Sequence, residues 1–203
     1  LKELRIKPVL LAPTGRAAKV LARYCGEQAL TIHKRIYRQR TNADYESKFS
    51  LDFNREQGAV FIVDEASMLS DSTGDGALFG SGSLLEDLVS YVRSGRGCRL
   101  ILVGDSAQLP PVWCDFSPAL DPATVSRYGE VVYGLMDEVV RQQMQSGILF
   151  NATLVRCMLE NRIYEIPKFE MDYPDFESVE GGDFMEKLQD AFDRYGRDEV
   201  IVI

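Results

Sequence analysis

The chain has 203 residues and a mass of 22.8 kDa, 45% hydrophobic and 27% charged, enough for one domain and the edge of a second at about 100–200 residues per domain. This is globular usage, and no apolar run approaches the ~18 residues of a membrane span, which excludes a membrane protein and a disordered chain. The net charge of −8 is lopsided: residues 1–40 hold ten Lys/Arg and two acids, leaving 13 bases and 29 acids for the rest, so a basic strip, either solvated surface or a phosphate-binding face, opens an acidic chain.

Leu1–Leu4 reads as the tail of a helix. Val9–Ala12 is a short apolar strand closed by Pro13, and from Thr14 onward Ala17, Ala18, Val20, Leu21 and Tyr24 keep helical spacing until Gly26. Thr14 is the expected N-cap of that helix, whose first backbone N–H groups are left to meet an anion. No Gly-Lys dipeptide occurs in the 203 residues, so this is not the G-x-x-x-x-G-K-S/T loop of a nucleotide site. Arg16 and Lys19 therefore suit a nucleic-acid phosphate better than a nucleotide, with a capped helix bearing exposed bases as the plain alternative. Thr31–Tyr37 is short and mixed and carries the single histidine, His33. Its neighbours Thr31, Lys34 and Arg35 suit phosphate or base contact, against a purely structural histidine. Arg38–Gln57 reads as loop or weak hairpin.

Ala59–Val63 is a second buried strand, and its carboxyl end delivers Asp64 and Glu65. One carboxylate there can hold magnesium, directly or through water, and the next can orient or deprotonate an attacking water; acids are also ordinary punctuation at strand ends. The Gly/Ser-rich Ser70–Ser83 reads as mobile, and Leu84–Ser94 as an amphipathic helix stopped at Gly95. A third strand, Arg99–Val103, delivers Gly104 and Asp105. Glycine permits a tight turn, Asp105 can anchor it, Gln108 offers an amide to a phosphate oxygen or water, and Pro110-Pro111 stiffens the exit. The alternative is a plain Asp-initiated turn with a surface glutamine. Val131–Tyr133 reads as a fourth strand and Glu138–Gln145 as a helical region. Its Arg141 is either surface or an arginine reaching a γ-phosphate. A helix over Ile148–Asn161 precedes a break at Pro167. The acidic remainder has extended pieces at Phe169–Tyr173 and Phe176–Val179, a helix near Asp183–Tyr195 and a final strand, Glu199–Ile203.

Apolar strands alternating with helices predict an α/β fold: a mostly parallel sheet, helices on both faces, ligands at the carboxyl ends of the strands. The change of character at 163–168 sets a domain boundary there, giving 1–165 and 166–203, and both ends read as cut. Cys25, Cys98, Cys114 and Cys157 are scattered, with no C-x-x-C pair, which favours a reducing, cytoplasmic setting over a disulfide framework or zinc site.

In this order, APTGRAAKVL (12–21), TIHKRIY (31–37), FIVDEASML (61–69), LILVGDSAQLPPV (100–112) and EVVRQ (138–142) resemble the RecD-type branch of the superfamily 1 DNA helicases, which includes the exodeoxyribonuclease V alpha subunit and its stand-alone relatives. The resemblance runs from about residue 8 to residue 152. It implies a RecA-like P-loop NTPase core, ATP and magnesium as cofactors, single-stranded DNA as partner, and nuclease or helicase subunits as further partners. It gives Asp64 the role of magnesium-coordinating acid, Glu65 that of catalytic base, Gln108 that of γ-phosphate sensor and Arg141 that of the arginine across the cleft, and sets Asp105 at the nucleotide. Pro13, Thr14, Thr31 and His33 fall in segments that touch DNA, with Arg16 and Lys19 beside them. Such enzymes step along one strand, typically 5′ to 3′, in recombination and repair. The family's Walker A loop is missing from these residues. The expectation is therefore an inactive piece of a helicase, 1–165 being a first motor domain without its P-loop strand and 166–203 the start of a second. The competing expectation is an accessory nucleic-acid-binding module without ATPase activity.

Overall fold

The computed structural model describes residues 3, 6–41, 47–71, 79–136 and 146–202. The apolar run Pro8–Ala12 forms β1. It turns through Pro13 into α1, Gly15–Cys25, where the Thr14 hydroxyl accepts from Ala17 N at 3.2 Å and Gly26 closes the helix at φ 63°, a backbone region that glycine enters without a Cβ clash. The same device repeats one strand over. Ala29–Thr31 is β2, and Thr31 caps the short α2, Ile32–Ile36, by accepting from Lys34 N at 3.2 Å. Arg38–Gln57 contains a paired hairpin, β3 (Tyr37–Thr41) against β4 (Ser47–Leu51), in antiparallel register.

β5 (Val60–Val63), α3 (Leu84–Ser94) and β6 (Arg99–Leu102) follow. The four core strands run parallel in the order β2-β1-β5-β6. Side chains alternate across a strand. Leu11, Phe61 and Val63 therefore face Ile32 and Ile36 of α2 and Leu85, Leu88 and Val92 of α3 in one fully buried cluster. Leu10, Ala12 and Val60, of opposite parity, are buried outside that cluster, as a sheet flanked by helices requires. Each such large side chain contributes on the order of 1.5–3 kcal/mol by leaving water.

The chain folds as two compact units, Leu1–Gly134 and Leu135–Ile203. After β6 the first unit continues through the loop 104–117 and a short helix, α4 (Pro122–Val125), capped by Asp121. Val131–Tyr133 is exposed and irregular rather than a strand: its side chains suit a strand, but no neighbouring strand supplies a ladder among the described residues. In the second unit α5 (Gly147–Glu160) starts at Ser146, whose hydroxyl accepts from Leu149 N at 3.1 Å and donates to Asp175 at 2.6 Å. Asn151 holds the passing segment through Glu170, donating to its carbonyl and accepting from its N–H, both at 2.8 Å. The composition break at 163–168 thus lies inside a segment strapped onto α5. α6 (Phe184–Tyr195) follows; the extended pieces before it make a single bridge, Tyr173 to Phe176, and residues 199–202 are irregular.

Of the Gly/Ser-rich linker, 72–78 lie outside the described residues, as do the helical region 138–145 and, apart from Glu3, Leu1–Arg5. The described end of the linker is fixed. Gly80 N donates to Phe49 O at 2.8 Å, Phe79 stacks on Phe49 at 4.5 Å between ring centres, and Ser81 N donates to the buried Asp87 at 3.0 Å.

Candidate functional site

Parallel pairing sends the carboxyl ends of β1, β2, β5 and β6 to one edge of the sheet, where the loops that follow them collect. The register puts Ala12 beside Thr31, Leu11 beside Val63, and Val63 beside Leu102. Pro13 and Thr14 therefore leave the sheet next to Thr31 and His33, while Asp64-Glu65 and Gly104-Asp105 leave on the two adjacent strands. Arg141 lies outside the described residues.

The Asp64-Glu65 turn is held by backbone bonds on both sides: Asp64 N donates to Leu11 O at 3.0 Å and Ala66 N to Val103 O at 2.9 Å. Glu65 adopts φ 56° and ψ 38°, a left-handed conformation uncommon for a residue with a Cβ. One Asp64 oxygen, Oδ1, accepts from Glu65 N at 3.1 Å, which fixes the first carboxylate on the second residue's backbone. Both acids are half-buried. Their hard oxygen donors suit magnesium, which takes one or two carboxylates and fills its other positions with water and phosphate. Among the described residues no cluster of three or more His, Cys, Asp or Glu could hold a metal alone.

Glycine at 104 is required by contact rather than by φ. A Cβ there would stand 2.9 Å from Ser67 N and 3.2 Å from Ala66 N, so the backbones after β5 and β6 touch. Asp105 anchors the next turn, its Oδ1 accepting from Ala107 N at 3.0 Å and its carbonyl from Gln108 N at 3.1 Å. The Gln108 side chain is exposed. Two features here escaped the sequence reading. The Ser117 hydroxyl donates to Ser67 O at 2.8 Å in a buried contact, and Trp113, one residue past the quoted motif, is 99% exposed at φ 68°. Neither carries a periodic signal, although a lone tryptophan after two prolines is itself unusual composition for a surface loop.

On the basic side the bases divide. Lys7 and Arg35 both pair with Glu56, at 2.7 and 2.6 Å, and Arg38 pairs with Asp52 at 3.0 Å, so these three are committed to structure. Arg16 and Lys19 on α1 are exposed, with no acidic partner among the described residues. The Thr14 and Thr31 hydroxyl oxygens already accept capping bonds, which leaves each hydroxyl proton as the group available to a phosphate. His33 is half-buried, edge-on to Phe79 at 5.0 Å and tilted on Tyr37 at 5.7 Å. Burial holds its pKa below the ordinary histidine range, so the ring is neutral at pH 7. Beneath it Tyr37 donates to the buried Asp87 at 2.6 Å, and burial together with that carboxylate raises the phenol far above its usual pKa. Cys25, Cys98, Cys114 and Cys157 are free thiols. Among the described residues no helix is long and apolar enough to cross a membrane.

The chain is 31% identical over 111 residues, 55% of its length, to the ATP-dependent RecD2 DNA helicase of Deinococcus radiodurans, and it covers 13% of that protein. Residues 1–113 match the AAA domain family, and this span takes in β1 to β6 and the loops at their carboxyl edge. The parallel sheet with its gathered loops is accordingly that of a P-loop NTPase-like AAA domain, and the chain belongs to the AAA domain family.

Proposed function

We propose that this chain supplies the DNA-facing and hydrolytic edge of an ATP-dependent DNA helicase of the RecD type. What carries the reading is the junction at Gly104, where the Asp64-Glu65 turn and the Asp105–Gln108 loop are in backbone contact on the edge that also presents Thr14 and Thr31. In this reading Asp64 holds magnesium through the oxygen not engaged by Glu65 N, and Glu65 orients and deprotonates the attacking water. Gln108 senses the terminal phosphate, Asp105 keeps Gln108 in place, and Arg141 completes the charge stabilisation. Bound magnesium supplies charge neutralisation on the phosphate oxygens. Pro13, Thr14, Arg16, Lys19, Thr31 and His33 form the track for single-stranded DNA. The chain spans a first RecA-like domain and the start of a second, and the parent enzyme moves 5′ to 3′ in recombination or repair in the cytoplasm, with or without nuclease subunits.

The 203 residues contain no Gly-Lys dipeptide, which favours a second reading for the chain by itself: a nucleic-acid-binding module without ATPase activity. One pair of titrations separates them. A fluorescein-labelled oligothymidylate is expected to bind the chain with a strong salt dependence, and Arg16→Glu with Lys19→Glu to flatten the salt slope by about two. Calorimetry with Mg-ATP is expected to show weak or no binding, since the backbone cradle and lysine of a phosphate loop are missing from these residues. Tight magnesium-dependent ATP binding would overturn the second reading, and an unaltered salt slope the DNA track.

A further inference from the structure

His33 is fixed by its ring and not by its nitrogens. The imidazole stands edge-on to Phe79, 5.0 Å between ring centres, and tilted on Tyr37 at 5.7 Å, yet among the described residues neither nitrogen has a hydrogen-bond partner. Both rings that hold it are themselves anchored. Phe79 stacks on Phe49 at 4.5 Å and lies 5.3 Å from Tyr37. The Tyr37 hydroxyl donates to Asp87 Oδ2 at 2.6 Å, and Ser81 N donates to the same oxygen at 3.0 Å. A buried carboxylate is costly without such donors, so the pair commits the Tyr37 ring to one place. Gly80 completes the arrangement. A Cβ there would stand 1.9 Å from Asp87 Oδ2 and 2.7 Å from Tyr37 Cε1, and its φ is 47°, so only glycine lets the end of the linker lie on the pair and deliver Phe79 to His33.

Filling this corner does not require an imidazole. Tyr37, Phe49 and Phe79 already pack there, and an aliphatic side chain at 33 would meet them without bringing two polar atoms. A ring locked by packing, with its nitrogens unspent, presents a hydrogen-bond donor to a ligand. The class of ligand follows from position. The strand register sets Ala12 beside Thr31, so His33 follows the strand end that lies next to Pro13 and Thr14. The next residue, Lys34, is exposed and has no acidic partner among the described residues. A donor followed by a free cation suits a phosphodiester. We propose that Phe79, Tyr37 and Asp87 are positioning residues that hold the His33 imidazole to donate to a backbone phosphate of single-stranded nucleic acid. The inference rests on the DNA reading above and adds the residues, from α3 and the end of the linker, that set the geometry of one contact.

His33 is the only histidine, so its ring-proton NMR resonance titrates alone. The 203-residue chain is titrated at pH 7 with a fluorescein-labelled oligothymidylate of about twelve nucleotides. His33→Ala and Phe79→Ala are each expected to weaken binding about fivefold, the yield of one neutral hydrogen bond. The salt slope is expected to stay unchanged, since a neutral donor releases no counterion. The two substitutions together are expected to cost no more than either alone, because Phe79 acts only through His33. In Phe79→Ala the His33 midpoint is expected to rise toward 6.5 as burial is relieved. Phe79→Leu, which fills the site without a ring, is expected to show the same non-additivity and serves if the alanine variant does not fold. Tyr37→Phe, which frees Asp87 but keeps the ring, is expected to weaken binding less, and only while His33 is present. DNA that binds the parent and His33→Ala alike, or losses that add in the double variant, overturns the positioning role and leaves the DNA reading standing. DNA that does not bind the parent overturns both.

Discussion

Glu65 combines two properties that pull apart. Its carboxylate is the base in the proposed hydrolysis, and its backbone sits at φ 56°, a conformation that costs a residue with a Cβ about 1–2 kcal/mol. Glu65→Gly is therefore expected to raise the unfolding free energy by about 1 kcal/mol, read from the denaturant midpoint, while Glu65→Gln leaves it unchanged. A drop in stability for the glycine variant would show that the side chain, not the backbone, holds the turn. The acids themselves were legible, because a β-branched apolar run ending in Asp-Glu is a pattern in the sequence. The left-handed backbone was not, since it is imposed by the Ala66-to-Val103 bond from the next strand. Trp113 was missed for a related reason: its exposure is a property of the pinned loop, and no neighbour in the sequence marks it.

Among the elements, the turns after β5 and β6 act as one piece because three contacts converge on Ala66-Ser67: the bond from Ala66 to Val103, the close approach of Gly104, and the Ser117 hydroxyl. Gly104→Ala would drive a methyl to within 2.9 Å of Ser67 N, and overpacking of this kind costs about 1–3 kcal/mol. Thermal melts are expected to show that loss. Hydrogen exchange is expected to speed up both at 64–67 and at 105–108; faster exchange on one side alone would separate the two turns. β1, α1, β5, α3 and β6 could be read closely from periodicity and caps, Thr14 and Gly26 being unmistakable. β2 and the β3–β4 hairpin could not, because a three-residue strand has no period to detect and the hairpin's paired residues are largely polar. Val131–Tyr133 shows the opposite error, strand propensity without a partner.

For the whole molecule, two groups that join separate elements contribute to acid stability. Glu56, between Lys7 and Arg35, has its carboxyl held below its ordinary value of 4.5, first by the Lys7 bond. Burial holds His33 below its ordinary 6.5. In both cases the unfolded chain binds more protons just below the ordinary value, so stability is complete above that value and is lost as pH falls through the folded one. Denaturant titrations are expected to show a decline beginning below pH 6.5 that His33→Gln removes, and a steeper one below pH 4.5 that Glu56→Gln removes. At pH 7, Glu56→Gln is expected to cost about 1–2 kcal/mol, as Arg35 loses a charged hydrogen bond. A Glu56→Gln profile identical to that of the parent would assign the acid loss to other carboxylates.

The pairing of Pro8 with Val60 and of Leu11 with Val63 joins strands about fifty residues apart in the chain. Such a ladder cannot zip outward from a nearby reversal, so the central seam must await a long, entropically costly chain closure. Kinetics set by that wait place the hairpin and the α1–β2 contacts early in refolding, and leave the edge that gathers the acids, the amide and the lone indole among the last features to take shape.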